Sequence, residues 1–119
     1  MNVTLWVIAS LLAAGFFASG LLKLIWPKPK LIAKGNAWAE SFSPAAIRSI
    51  GVAEILAAAG LILPHLLDTA EILTPLAATG LILLMIGAAA IHLRRHESKA
   101  VAACAAYLAL AAVVAWTQF

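Results

Sequence analysis

The chain has 119 residues, of which 65% are hydrophobic and only 11% charged, with a formal net charge of +3. A soluble domain carries about 45–50% apolar and about 25% charged residues, and a chain this short exposes much of its surface, so a water-soluble core cannot hide this much apolar side chain. Nucleic acid is excluded as a partner because the cations flank apolar spans, where they meet phospholipid headgroups.

The first apolar run covers residues 3–26. No basic stretch precedes it and it is too long for the core of a cleaved signal peptide, so it is expected to be retained. Residues 27–43 follow, with Lys28, Lys30 and Lys34. Leu31, Gly35, Trp38 and Phe42 fall at helical spacing, which suits a basic amphipathic helix in the headgroup layer. Pro27, Pro29 and Gly35 suit an irregular basic loop equally well, and both readings stand.

The second run covers 45–63 and is stopped by Pro64. Ser43-Pro44 before it has the pattern of an N-cap with proline at the first helical position. The connection from His65 to Leu73 carries Asp68 and Glu71 and no lysine or arginine. The third run covers 75–93, and Thr74-Pro75 repeats the cap signature. Asp68 and Glu71 offer an earlier cap, which would make Pro75 a kink. A short basic connection leads to the fourth run, 100–117.

About 20 helical residues cross a hydrocarbon core of about 30 Å, the length of each run, and lipid forces a spanning segment to satisfy its own backbone hydrogen bonds. The runs therefore predict an all-α integral membrane protein, an antiparallel four-helix bundle forming one membrane domain over residues 1–119. Lys23, Lys28, Lys30, Lys34 and Arg48 make one basic window; Arg94, Arg95 and Lys99 make the other. Basic loops stay on the cytoplasmic side, so both termini are expected outside. Trp6 and Trp116 then fall at the outer interface and Trp26 and Trp38 at the inner one. Small residues let helices approach closely in lipid, and Gly15 with Ser19, Ala53 with Ala57, Gly80 with Gly87, and Ala102 with Ala106 are the candidate contacts.

Four polar residues stand out as ligand-binding or proton-relay candidates: Glu54, Lys23, Tyr107 and His92. Glu54 lies nine residues into the second run, about 13 Å from its edge at the helical rise. A charged carboxylate at that depth costs several kcal/mol unless paired or protonated. Its helical neighbours Ile50, Gly51, Ala57 and Ala58 are mostly small, which turns this face toward other helices. Lys23 is its expected partner, though the long stem could equally carry the ammonium to the headgroups. Tyr107 is expected near the depth of Glu54, where a buried hydroxyl needs a partner. His92 closes the third run. Each has a plainer reading. Glu54 and Lys23 can be a structural ion pair, Tyr107 a polar helix contact, His92 an interfacial residue beside Arg94, and Cys104 a small packing residue. No metal site is expected: His92 and His96 stand at i,i+4 but straddle a helix end. The single cysteine excludes a CxxC centre.

Ser19-Gly20-Leu21-Leu22-Lys23-Leu24, Gly51-Val52-Ala53-Glu54-Ile55-Leu56 with Leu63-Pro64, Thr74-Pro75-Leu76-Ala77-Ala78 and His92-Leu93-Arg94-Arg95 occur in that order across nearly the whole chain. In sequence and spacing they resemble the DoxX-like family. The resemblance implies a small four-helix protein of the bacterial inner (plasma) membrane, with Lys23, Glu54 and His92 at the family's polar positions. The family's name also links it to quinone-associated sulfur oxidation.

Three functions are therefore in view. The first is a quinone-associated redox component, with a quinone as the only candidate cofactor, electrons supplied by a partner redox enzyme and no stand-alone enzyme activity expected. The second is a non-catalytic assembly or accessory subunit. The third is a proton-coupled small-molecule transporter, disfavoured because small multidrug transporters carry their glutamate in the first helix and lack this charge bias. Expected partners are the lipid bilayer, a small apolar ligand and a second copy in a homodimer.

Overall fold

The computed structural model describes residues 2–119. In chain order the elements are α1 (Val3–Ile25), α2 (Lys28–Ala33), a 3-10 helix (Ala37–Ser41), α3 (Pro44–Leu66), α4 (Leu73–Arg94) and α5 (Ser98–Gln118). No strand occurs among the described residues. α1, α3, α4 and α5 are each long and apolar enough to cross a membrane. Their outward faces are apolar too: Leu11, Leu56, Leu83 and Trp116 are exposed. A helix that is hydrophobic all round belongs in lipid or a large core, and this chain has no large core.

α1 packs along α3, α3 on α4 and α4 on α5, and α5 returns more lightly to α1. Leu12, Phe16, Leu61, Leu81 and Val114 fill the space between them. The tightest approach joins α1 to α3. A Cβ on Gly20 would lie 2.6 Å from the Gly51 carbonyl oxygen, and one on Gly51 would lie 2.9 Å from that of Gly20. Both positions must be glycine for the backbones to meet this closely. Of the small residues expected at helix contacts, Gly15 meets Tyr107 of α5 and Ala57 packs against the core, but two pairs make no such contact. A Cβ on Gly80 or Gly87 would meet nothing within 4 Å, and Ala102 and Ala106 are exposed.

Pro64 does not stop the second span; α3 runs through it to Leu66. Proline has no N–H for the carbonyl four residues back, here that of Gly60. The Thr74 hydroxyl donates to this Gly60 oxygen at 2.9 Å. In lipid a freed carbonyl needs such a partner, and with one the helix continues. Thr74 is thereby withdrawn from the cap expected of it: α4 begins at Leu73 with Ile72 before it, and no side chain caps that end. Asp68 and Glu71 do not cap it either. At the other end of α3 the Ser43 hydroxyl accepts from the Ala46 N–H at 3.1 Å with proline at the first turn, as the sequence pattern predicts.

Residues 27–43 form two short helices broken at Gly35, whose φ of +97° is the left-handed conformation glycine adopts freely. The segment has its own small core. Leu31 and Ala39 are buried with Ile47 of α3, packed by Trp26, Ile32, Trp38 and Phe42. This burial ties it to the bundle.

Candidate functional site

Glu54 sits mid-way along α3 and is only 3% exposed. The Gly20–Gly51 approach brings α1 close enough for the Lys23 ammonium to reach it, and Lys23 Nζ lies 2.6 Å from Glu54 Oε1. Of its two possible destinations, the lysine stem takes the inward one. Nζ also donates to Ser19 Oγ at 2.6 Å, one turn back on α1. The Trp38 ring lies over the same ammonium, 5.1 Å from Nζ to the ring centroid. The buried cation thus has a carboxylate, a hydroxyl and an aromatic face, the partners a desolvated ammonium requires.

Helix endings place the remaining groups. α2 closes through Gly35 with the Asn36 N–H bonded to the Leu31 carbonyl and the Gly35 N–H to that of Ile32. This Schellman arrangement folds the chain back on itself. It sets Asn36 beside Trp38, whose indole N–H donates to Asn36 Oδ1 at 3.3 Å. α4 ends the same way, with the Glu97 N–H on the His92 carbonyl and the His96 N–H on that of Leu93. His96 takes the left-handed position, φ 58°. The turn returns the Glu97 carboxylate to the His92 ring, Nδ1 to Oε1 at 2.8 Å. The His92 side chain is correspondingly well covered, 15% exposed. From the same turn Arg95 reaches Glu40 at 3.4 Å and Ser41 at 3.3 Å, fastening the 3-10 helix across the bundle end.

Tyr107 departs from expectation: it is 38% exposed, not buried. Its ring lies edge-on to Phe16, centroids 5.3 Å apart. Its hydroxyl lies over α1, 3.3 Å from where a Gly15 Cβ would be. Gly15 therefore serves to accommodate this tyrosine.

All four candidates border one cavity of about 580 Å³, together with Ser19, Asn36, Trp38 and Cys104. The rest of its wall is mainly apolar, including Phe16, Leu84, Met85 and Ile91. Such a space suits a lipophilic molecule with a few polar atoms. A second hollow of about 720 Å³ between α3 and α4 has no titratable side chain in its wall. The sequence reading missed Glu97, Asn36 and the role of Trp38 against Lys23. Only the helical spacing of Trp38 with Leu31 hinted at the last.

No curated protein and no solved structure matches the chain. The sequence model of the DoxX-like family, however, matches residues 7–114. That range takes in nearly all of the four spans and every polar residue bordering the cavity beside Lys23 and Glu54, and on this match the protein, a multi-pass membrane protein by its helices, belongs to the DoxX-like family.

Proposed function

We propose that this protein binds a quinone-like molecule in the cavity beside Lys23 and Glu54, in the bacterial inner membrane, and serves a redox partner as its membrane component. The observation that carries the reading is a mainly apolar cavity whose few polar groups are gathered in its wall. A quinone needs an apolar slot and hydrogen-bond donors for its two carbonyl oxygens. Lys23 and Tyr107 are such donors, and His92 and Glu54 can carry protons. Reducing the quinone takes two protons and two electrons. The electrons must come from the partner or from a cofactor, since the lone Cys104 cannot cycle them. The basic windows face the cytoplasm and both termini lie outside, by the charge asymmetry of the loops.

A structural role is favoured by a different observation: Lys23 and Glu54 already satisfy each other, so the pair can simply pin α1 to α3. Titration of the purified protein with a short-chain quinone, followed by tryptophan fluorescence, separates the two. Quinone binding predicts saturable quenching, weakened about tenfold, or about 1.4 kcal/mol, in Glu54→Gln. No binding to the wild type, or equal binding to the variant, leaves the structural role. Uptake by liposomes driven by a proton gradient would instead establish transport.

A further inference from the structure

Water and lipid offer this cavity very different routes of entry. On the side of the basic windows, Asn36, Trp38 and Phe42 form part of its wall. Trp38 is held down by the Lys23 ammonium beneath it and by Asn36 beside it. Arg95 fastens the neighbouring Glu40 and Ser41 to the turn after α4. Between α1 and α5 the closure is far lighter. These are the most loosely packed neighbours in the ring of spans. Further along α5, Ala111 and Val114 are fully buried, so the seam is shut there. At the level of the cavity it is bordered by Gly15 and Ser19 on one side and by Ala103 and Tyr107 on the other, and both α5 residues are exposed. Tyr107 crosses the gap over a residue with no side chain. Only an edge-on contact with Phe16 stacks its ring against α1.

We infer that the cavity is loaded sideways from the bilayer, between α1 and α5, with Tyr107 as the threshold, so that its ligands are molecules already dissolved in lipid. The inference deepens the ligand-binding reading above and rests on it for the identity of the cargo. Turning the tyrosine ring outward opens the seam without unpacking Leu12 or Val114.

Cys104 is the only thiol in the chain and borders the cavity, so its modification reports entry without any ligand. The protein in phosphatidylcholine nanodiscs is treated with a lipophilic maleimide or a charged methanethiosulfonate. The lipophilic reagent is expected to modify Cys104 several-fold faster in Tyr107→Ala than in the wild type, with the charged reagent unchanged. Ala103→Trp, which narrows the seam from its lipid-facing side, should slow the lipophilic reagent several-fold. Trp38→Ala should speed only the charged one. If Ala103→Trp leaves the lipophilic rate unchanged, or if Trp38→Ala alone accelerates it, the lateral route is wrong. That failure would leave quinone binding intact, and a failed quinone titration would leave the labelling result intact.

Discussion

An ionised carboxylate inside a bilayer must be compensated where it stands. Glu54 meets this demand through Lys23, and Lys23 through Glu54, Ser19 and Trp38. Removing one member strands the other, which in buried ion pairs costs about 3–5 kcal/mol, whereas replacing both with apolar residues is often nearly neutral. Lys23→Met and Glu54→Met should therefore each destabilise the purified protein by about that amount, and the double variant should recover most of the loss. Thermal unfolding in detergent checks this. If the two single effects simply add, the pair is not coupled. Both residues stand out in the sequence because each is a charge in an apolar run. Their pairing does not, since the lysine stem reaches either Glu54 or the headgroups.

At the scale of the helix, the connection of α3 to α4 turns on one hydroxyl. Thr74 Oγ1 serves the Gly60 carbonyl that Pro64 leaves free. Thr74→Val keeps shape and removes the donor, so it should cost about 1–3 kcal/mol, the penalty for a buried acceptor left unsatisfied. Thr74→Ser should restore most of it. Unfolding midpoints of the two variants against wild type are the measurement, and equal loss in both would deny the hydroxyl this role. The sequence pattern misassigned both residues. Thr-Pro is a common cap signature and proline a common stop, and only the approach of a second helix reverses the two meanings. Gly20 and Gly51 were hidden for a related reason. Several glycine and alanine pairs show the same spacing, and the crossing point of the helices selects among them.

For the whole molecule, Arg95 reaching Glu40 and Ser41 holds the two basic windows together at one end. A shared end is what an even number of crossings between the windows requires. In a Cys104→Ser background, Lys30→Cys and Lys99→Cys should both react with an impermeant thiol reagent from the cytoplasmic side, and Asn2→Cys from the opposite side. Labelling of the two lysine positions from different sides would overturn the orientation and the depth assigned to every ionisable group.

The sequence by itself determined the class of the molecule, its spans to within a few residues, its family resemblance and the charged residues that stand out within apolar runs. Hydropathy and isolated charges are properties of single segments, and lipid punishes violations of them severely. Tertiary structure alone decided that Lys23 turns inward, that Glu97 folds back onto His92, that Thr74 serves α3, and that four polar side chains border one cavity. Each of these depends on where two distant segments cross, and an apolar sequence in which many faces look alike does not encode that locally.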